Sequence, residues 1–467
     1  MMSKVRLKAI SNEHHHELRK RLKIPEYFPE NNEILGVFYK LFVAINEQNQ
    51  FDVIQCFKTL ELIADLSIIP VFQELEENNV IYKIKELFRC CYIGEVLTSA
   101  IQFIDKLMDT KDNEKQPLFE LIVKDHFCVL LIDSIEILIP NKGFCFSSFD
   151  FLRRLVNVYL PAKSDLLQIK TIEQICLFFN NPLFDKELQN KLMLIFNEIS
   201  KLNLSQLEQG FILNFIKRLI VMPNCFGILN LLLKIPKNMI NNSNSCHFVL
   251  VDYGFFNICN QLIQLKQIKI IIKSLELMAY YYLYQQDKSE LECDYNRLLR
   301  LSQSSNDDVS YSSFRVIRIM MENDQNYILK FIDLQIIKII NKVFETKRLR
   351  TKIEIIKILN NIILNCESMY ILDALKNNAF EYLLSMISLA DINILDIAIP
   401  PFLAILDQSQ TKIDFMFCWD ILKQNNGMQL ILNLMEDADN NISSKGKELY
   451  QEILNIKNRI EKYNIIS

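Results

Sequence analysis

Glycine and proline are scarce in this chain, at 8 and 11 of 467 residues. All-β and Rossmann-type sheets need turn residues at nearly every connection, so the scarcity points to helices joined by short polar links. No two glycines stand close enough to form G-x-G-x-x-G or the P-loop pattern, which removes nucleotide binding by those routes. A basic excess is missing as well: the formal net charge is -4, against the strongly positive balance of a general nucleic-acid binder. Apolar runs such as 268–283 are broken by Lys269 and Lys273, short of the roughly 18 apolar residues that mark a membrane span. No membrane anchor is expected. The 12 cysteines are scattered without a C-x-x-C pair and read as small buried hydrophobes of a reducing compartment. A location in cytoplasm and nucleus is the expectation.

The residues that carry chemistry do not gather. His14, His15 and His16 are adjacent, and neighbouring side chains on a helix point in different directions, which suits a metal poorly. His126 and His247 lie in apolar surroundings and read as core or boundary histidines, since no Ser or Cys partner stands at a fixed spacing. The carboxylates form no recognisable pair. The expectation is a protein without catalysis, metal or cofactor.

Half of the residues are hydrophobic, enough for a large core, yet a single globular core stops growing well below this length. A repeat resolves the conflict. Residues 78–84, 252–258, 333–339, 377–383 and 425–431 each pair a short polar break with apolar residues one and four positions past an anchor. With Val80, Gly254, Gln335, Ala379 and Gly427 as anchors, the intervening registers fall at Glu33, His126, Gln168, Gly210 and Asp294, in steps of 40 to 48 residues. The residue after every anchor is apolar or aromatic, and at the fourth position only Asn214 departs. Units of this length cannot cover their own apolar faces and stack on their neighbours, the signature of armadillo and HEAT arrays. The spacing therefore predicts an all-α, right-handed superhelical solenoid of the armadillo/HEAT type, with about ten repeats over residues 31–467.

Residues 1–30 differ in composition. Over residues 1–24, Lys4, Arg6, Lys8, Arg19, Lys20, Arg21 and Lys23 outnumber Glu13 and Glu17, giving a basic arm of net +5 on an acidic chain. Pro25 and Pro29 separate it from the first repeat, and such an arm is suited to bind an acidic surface.

A basic arm containing 17–21 (Glu-Leu-Arg-Lys-Arg), followed by about ten armadillo units and a shorter last one, resembles importin alpha, the adaptor that carries nuclear-signal cargo to importin beta. The stretch from Arg350 to Tyr450 carries the likeness at motif level. Residues 351–362 are similar to the family's third-helix motif, in which a Trp is followed four residues later by an Asn; Lys357 takes the place of the Trp and Asn361 that of the Asn. The resemblance implies cargo binding at Asn361 and Lys357, and importin beta binding through Arg19, Lys20, Arg21 and Lys23. It implies protein partners, with no nucleic acid and no membrane. The family's Trp ladder is missing: the single Trp, Trp419, lies outside its register, and the matching pairs Gln102/Lys106, Leu232/Pro236 and Glu276/Tyr280 cannot rebuild it. Lys357 puts a cation where the family has an indole face, so repulsion of a basic cargo side chain is expected there. The alternative is a general armadillo scaffold for cytoskeletal or signalling partners, without nuclear-signal recognition.

Overall fold

The computed structural model describes residues 33–66, 80–90, 93–108, 119, 120, 122, 123, 126–159, 161–242, 250, 252–284, 293–407 and 412–466. The basic arm, with Arg19, Lys20, Arg21 and Lys23, lies outside the described residues, as do His14, His15, His16 and His247.

Among the described residues there are helices and no strand. They divide into two compact units, within residues 1–249 and 250–467. The first holds α1 (Glu33–Asn46), α2 (Gln50–Leu66), α3 (Val80–Cys90), α4 (Gly94–Leu107), α5 (Phe127–Leu138) and α6 (Lys142–Val158). It continues with α7 (Ala162–Leu166), α8 (Ile169–Phe178), α9 (Lys186–Ile199), α10 (Gln206–Ile220), α11 (Leu229–Leu232) and α12 (Lys234–Asn242). The second holds α13 (Phe255–Leu262), α14 (Ile268–Tyr284), α15 (Tyr295–Ser302), α16 (Asp307–Asn323), α17 (Gln325–Asp333), α18 (Ile336–Val343) and α19 (Leu349–Asn365). It ends with α20 (Ser368–Lys376), α21 (Ala379–Ile387), α22 (Ile392–Asp407), α23 (Lys412–Gln424), α24 (Gly427–Met435) and α25 (Asn440–Ile466).

Nine of the ten anchors coincide with the first residue of a helix or the residue just before it: Glu33, Val80, His126, Gln168, Gly254, Asp294, Gln335, Ala379 and Gly427. Five breaks place a left-handed residue directly before the helix: His126 (φ 59°), Gly254 (φ 66°), Gln335 (φ 62°), Asn378 (φ 63°) and Asn426 (φ 51°). Gly and Asn adopt this conformation readily, whereas His and Gln do so at some steric cost. At the tenth anchor, Gly210 sits inside α10. The helix there starts earlier because Ser205 and Glu208 close a capping box: Glu208 N–H donates to Ser205 Oγ (3.3 Å) and Ser205 N–H to Glu208 Oε2 (2.8 Å). The earlier start shifts the helical phase, which leaves Asn214 half-buried outside the core stripe.

Except for α10, each anchored helix precedes a longer one, and the longer ones pack on their successors as two layers: α2, α4, α6 and α9 in the first unit, and α14, α16, α19, α22 and α25 in the second. In the second unit a short helix precedes each of the last three pairs, giving the three-helix units α17–α18–α19, α20–α21–α22 and α23–α24–α25. This helix order is the armadillo-type arrangement, and burial follows from it. Leu275, Phe314, Ile355, Leu359, Leu395 and Phe402 are all fully covered by neighbouring helices, as stacked units with one apolar face each require. Pro400 and Pro401 stand inside α22, where each lacks the N–H that would bond one turn back.

Candidate functional site

Helices α14, α16 and α19 are each 17 residues long, so equal positions can be compared along them. The ninth and thirteenth residues are Glu276 and Tyr280 on α14, Arg315 and Ile319 on α16, and Lys357 and Asn361 on α19. The two residues selected from the sequence thus share one helix, one turn apart.

Asn361 is 9% exposed, and its Nδ2 is buried with no hydrogen-bond partner among the described residues. Its neighbour Asn360 has a buried Oδ1 in the same condition. Lys357 is half-buried, with Nζ 3.5 Å from Glu354 Oε1. Glu354 is 5% exposed, and its Oε2 accepts from Arg318 Nε of α16 at 2.6 Å. Arg318 also pairs with Glu322, one turn further along its own helix. At Lys357, where repulsion of a basic side chain was expected, a carboxylate three residues earlier meets the ammonium but matches it only loosely. The i,i+3 spacing of Glu354 and Lys357 was readable in the sequence. Arg318, 36 residues upstream, was not, because its role depends on how the helices stack.

Two rings lie beneath cations of the next helix. The Arg315 guanidinium carbon is 5.8 Å from the Tyr280 ring centre, and that of Arg350 is 5.1 Å from the Tyr311 ring centre. Arg350 also reaches Asp307 Oδ2 at 3.2 Å and pairs with Asp308. Burial opposes the charge on Asp307, but the Arg348 N–H, the Thr351 hydroxyl and Arg350 outweigh it and hold the carboxyl below its ordinary value.

The other sequence pairs lie elsewhere. Gln102 is exposed on α4, whereas Leu232 and Pro236 are core residues of α11 and α12. Trp419 belongs to α23, one of the short helices, where it stacks on Phe415 at 5.8 Å and faces Lys457 at 5.0 Å. It therefore stands outside the long-helix layer. His126, read as a core or boundary residue, has a side chain 70% exposed, with Nδ1 2.8 Å from Asp165 Oδ1. Its place is an open helix break.

Among the described residues no group of three or more His, Cys, Asp or Glu is placed to hold a metal ion, and no helix is long and apolar enough to cross a membrane. Cys56, Cys128, Cys145, Cys176, Cys225, Cys259, Cys293 and Cys418 are unpaired and buried, and Cys366 is unpaired and half-buried. Burial pushes the Cys145 and Cys259 thiols up to about 12, far from the thiolate that a nucleophile requires.

No protein-family model and no curated protein matches the chain. Solved structures do. An engineered protein from a structural genomics consortium superimposes with a TM-score of 0.57 at 12% identity, covering 89% of this chain and 98% of that one. A designed armadillo repeat protein superimposes with a TM-score of 0.41 at 11% identity, covering 52% of this chain and 99% of its own. A second, in complex with the peptide (KR)4, gives 0.41 at 12% identity, with 53% and 99% covered. At such identities likeness bears on the fold alone, and the first superposition, spanning most of both chains, accords with an all-helical repeat architecture.

Proposed function

We propose that this chain is a protein-interaction scaffold that holds an extended segment of a partner against the long-helix layer of its second unit. The observation that carries the reading is the Asn361 amide, which is buried in that layer with its Nδ2 donor unused. A buried donor without an acceptor costs about 1–3 kcal/mol, and a turn of the Asn361 amide toward the surface would let a carbonyl of an extended partner recover it. The carboxamide can also accept from the N–H of the same partner residue. Selecting peptides on the full chain and repeating the selection on Asn361→Ala tests the site. Recovery of the same segments at unchanged affinity would remove Asn361 from it.

A more specific form of the reading is a nuclear import adaptor of cytoplasm and nucleus. It rests on the basic arm and on the resemblance of residues 350–450 to importin alpha. Arg19, Lys20, Arg21 and Lys23 then hold importin beta, while Asn361 and Lys357 hold cargo. A pull-down with the full chain and with a chain lacking residues 1–24 decides it. Importin beta should be captured by the first and lost from the second, with a steep dependence on salt. No capture by the full chain leaves the general scaffold alone.

A further inference from the structure

We infer that the segment held on the α14–α16–α19 face is acidic, a conclusion that rests on the scaffold reading above and names the chemistry of its partner. Between the sixth and sixteenth positions of these helices the charged residues are Lys273 and Glu276 on α14, Arg315, Arg318 and Glu322 on α16, and Glu354 and Lys357 on α19. Lys273 and Glu276 offset each other in sign. Glu322 and Glu354 both close on Arg318. Arg315 is left over: among the described residues no carboxylate pairs with it, and it lies over the Tyr280 ring. A guanidinium backed by a ring keeps its fork of donors available to a carboxylate in two-point geometry.

Neighbouring groups favour the same sign. Glu354 sits 2.6 Å from Arg318 but 3.5 Å from Lys357, so the ammonium is only loosely matched. Arg315 and Arg318 are one turn apart on α16, and Glu354 ties Arg318 to Lys357, which brings three cations onto one patch. One turn beyond Lys357, Asn361 Nδ2 adds an unused donor. Against these stands Asn360 Oδ1, a neutral acceptor without a partner. A lysine-rich segment would bring donors to donors, whereas a glutamate-rich one would bring acceptors to Arg315 and Lys357, the two cations that are not fully matched.

Fluorescence anisotropy with the full chain and three labelled peptides of equal length tests this. One peptide is rich in Glu, one in Lys and one in Asn. The Glu peptide should bind at least about tenfold more tightly than the Asn peptide, the scale of one charge-assisted hydrogen bond, and the Lys peptide most weakly. Arg315→Gln and Lys357→Gln should each weaken the Glu peptide by about the same factor, leave the Asn peptide unchanged, and leave the thermal unfolding of the chain where it was. Equal binding of all three peptides, or preference for Lys, overturns the acidic assignment and leaves the scaffold standing. If none binds, both readings fall.

Discussion

The two units build the same kind of helix stack from different aromatic residues. In the first, the ring contacts are largely between phenylalanines: Phe127 meets Phe88 and Phe151, and Phe184 sits among Phe149, Phe178 and Phe179. In the second, tyrosines enter. Tyr282 packs on Phe256 and Tyr327, while Tyr382 stacks on Phe344 at 4.1 Å and donates its hydroxyl to Asn341 Oδ1 at 2.7 Å. A phenylalanine contact depends on area and ring geometry, whereas the hydroxyl of Tyr382 also ties its helix to Asn341 in one register. The polar links differ in the same sense. Arg154 with Asp105 and Lys191 with Asp150 are pairs between neighbouring long helices in the first unit. In the second, Arg318 serves two carboxylates while Arg315 and Lys357 stay under-matched. Both units also bury polar atoms without a partner among the described residues, Asp165 Oδ2 and Gln189 Oε1 in the first and Asn360 Oδ1 and Asn361 Nδ2 in the second, so the contrast lies in the shared and under-matched cations of the second.

Core truncation gives the largest expected effect and asks whether both units rest on their rings to the same degree. Phe184→Ala and Phe380→Ala should each cost roughly 3–5 kcal/mol in chemical denaturation, since each empties a fully packed ring site. Phe380 is stacked on Phe402 at 4.5 Å and is fully buried. A cost near zero at Phe380 would show that α21 does not seat its ring on α22.

Next come the links between helices. Glu354→Gln removes the carboxylate that a buried cluster shares and should cost about 1.5–3 kcal/mol. Lys191→Gln breaks a part-exposed pair in the first unit and should cost less than about 1 kcal/mol by the same assay. Equal losses would erase the contrast between a shared cluster and a simple pair.

Close helix approach offers a third comparison. A Cβ at Gly446 would stand 2.7 Å from Met435 N and 2.8 Å from Leu434 C, both backbone atoms, whereas at Gly94 it would meet the Asn141 side chain. Gly446→Ala should therefore cost about 1–3 kcal/mol through displacement of α24 from α25. Gly94→Ala is expected to cost less, because a side chain can turn aside where backbone cannot; the N-cap bond that Asn141 Oδ1 accepts from the Phe144 N–H at 3.0 Å sets the limit. Thermal unfolding of the two variants ranks them.

The smallest effects belong to pH. Asp307 in the second unit and Glu208 in the first both hold their carboxyls below the ordinary value. Burial works against each, but hydrogen bonds and cations prevail. A depressed folded-state value means that the stabilisation is present above the unfolded value and is lost as pH falls through the folded one. Stability should thus decline below about pH 4, and the decline should become shallower in Asp307→Asn and in Glu208→Gln, as acid titration followed by circular dichroism would read. A slope identical to the parent's would remove that residue from the acid response.

Much of this architecture was legible because the repeat imposes one break per unit, and a break needs residues such as Asn and Gly that stand out among apolar neighbours. The phase failed only around Gly210, where the Ser205-x-x-Glu208 capping signature was present but even spacing was preferred to it. Asn361 and Lys357 could be picked out through the resemblance of residues 351–362 to the third-helix motif, whose two positions stand four residues apart. Their electrostatic setting could not. Arg318, Tyr280 and Arg315 reach the same patch from two other helices, and only the stacking offset between units decides which side chains meet. The basic arm is equally plain in composition, but its partner is a matter of charge on another molecule.

The left-handed residues at Gln335, Asn378 and Asn426 give the second unit a form of punctuation. Each marks the point where one helix has ended and the next apolar stripe begins in the same phase. Excising residues 336–378 would bring Gln335 onto Ala379, joining a left-handed residue to a helix start of the kind it already precedes. Such joints let whole units be duplicated, lost or exchanged between related arrays without cutting a helix interior. The binding face can therefore change by recombination of modules as well as by substitution of single side chains.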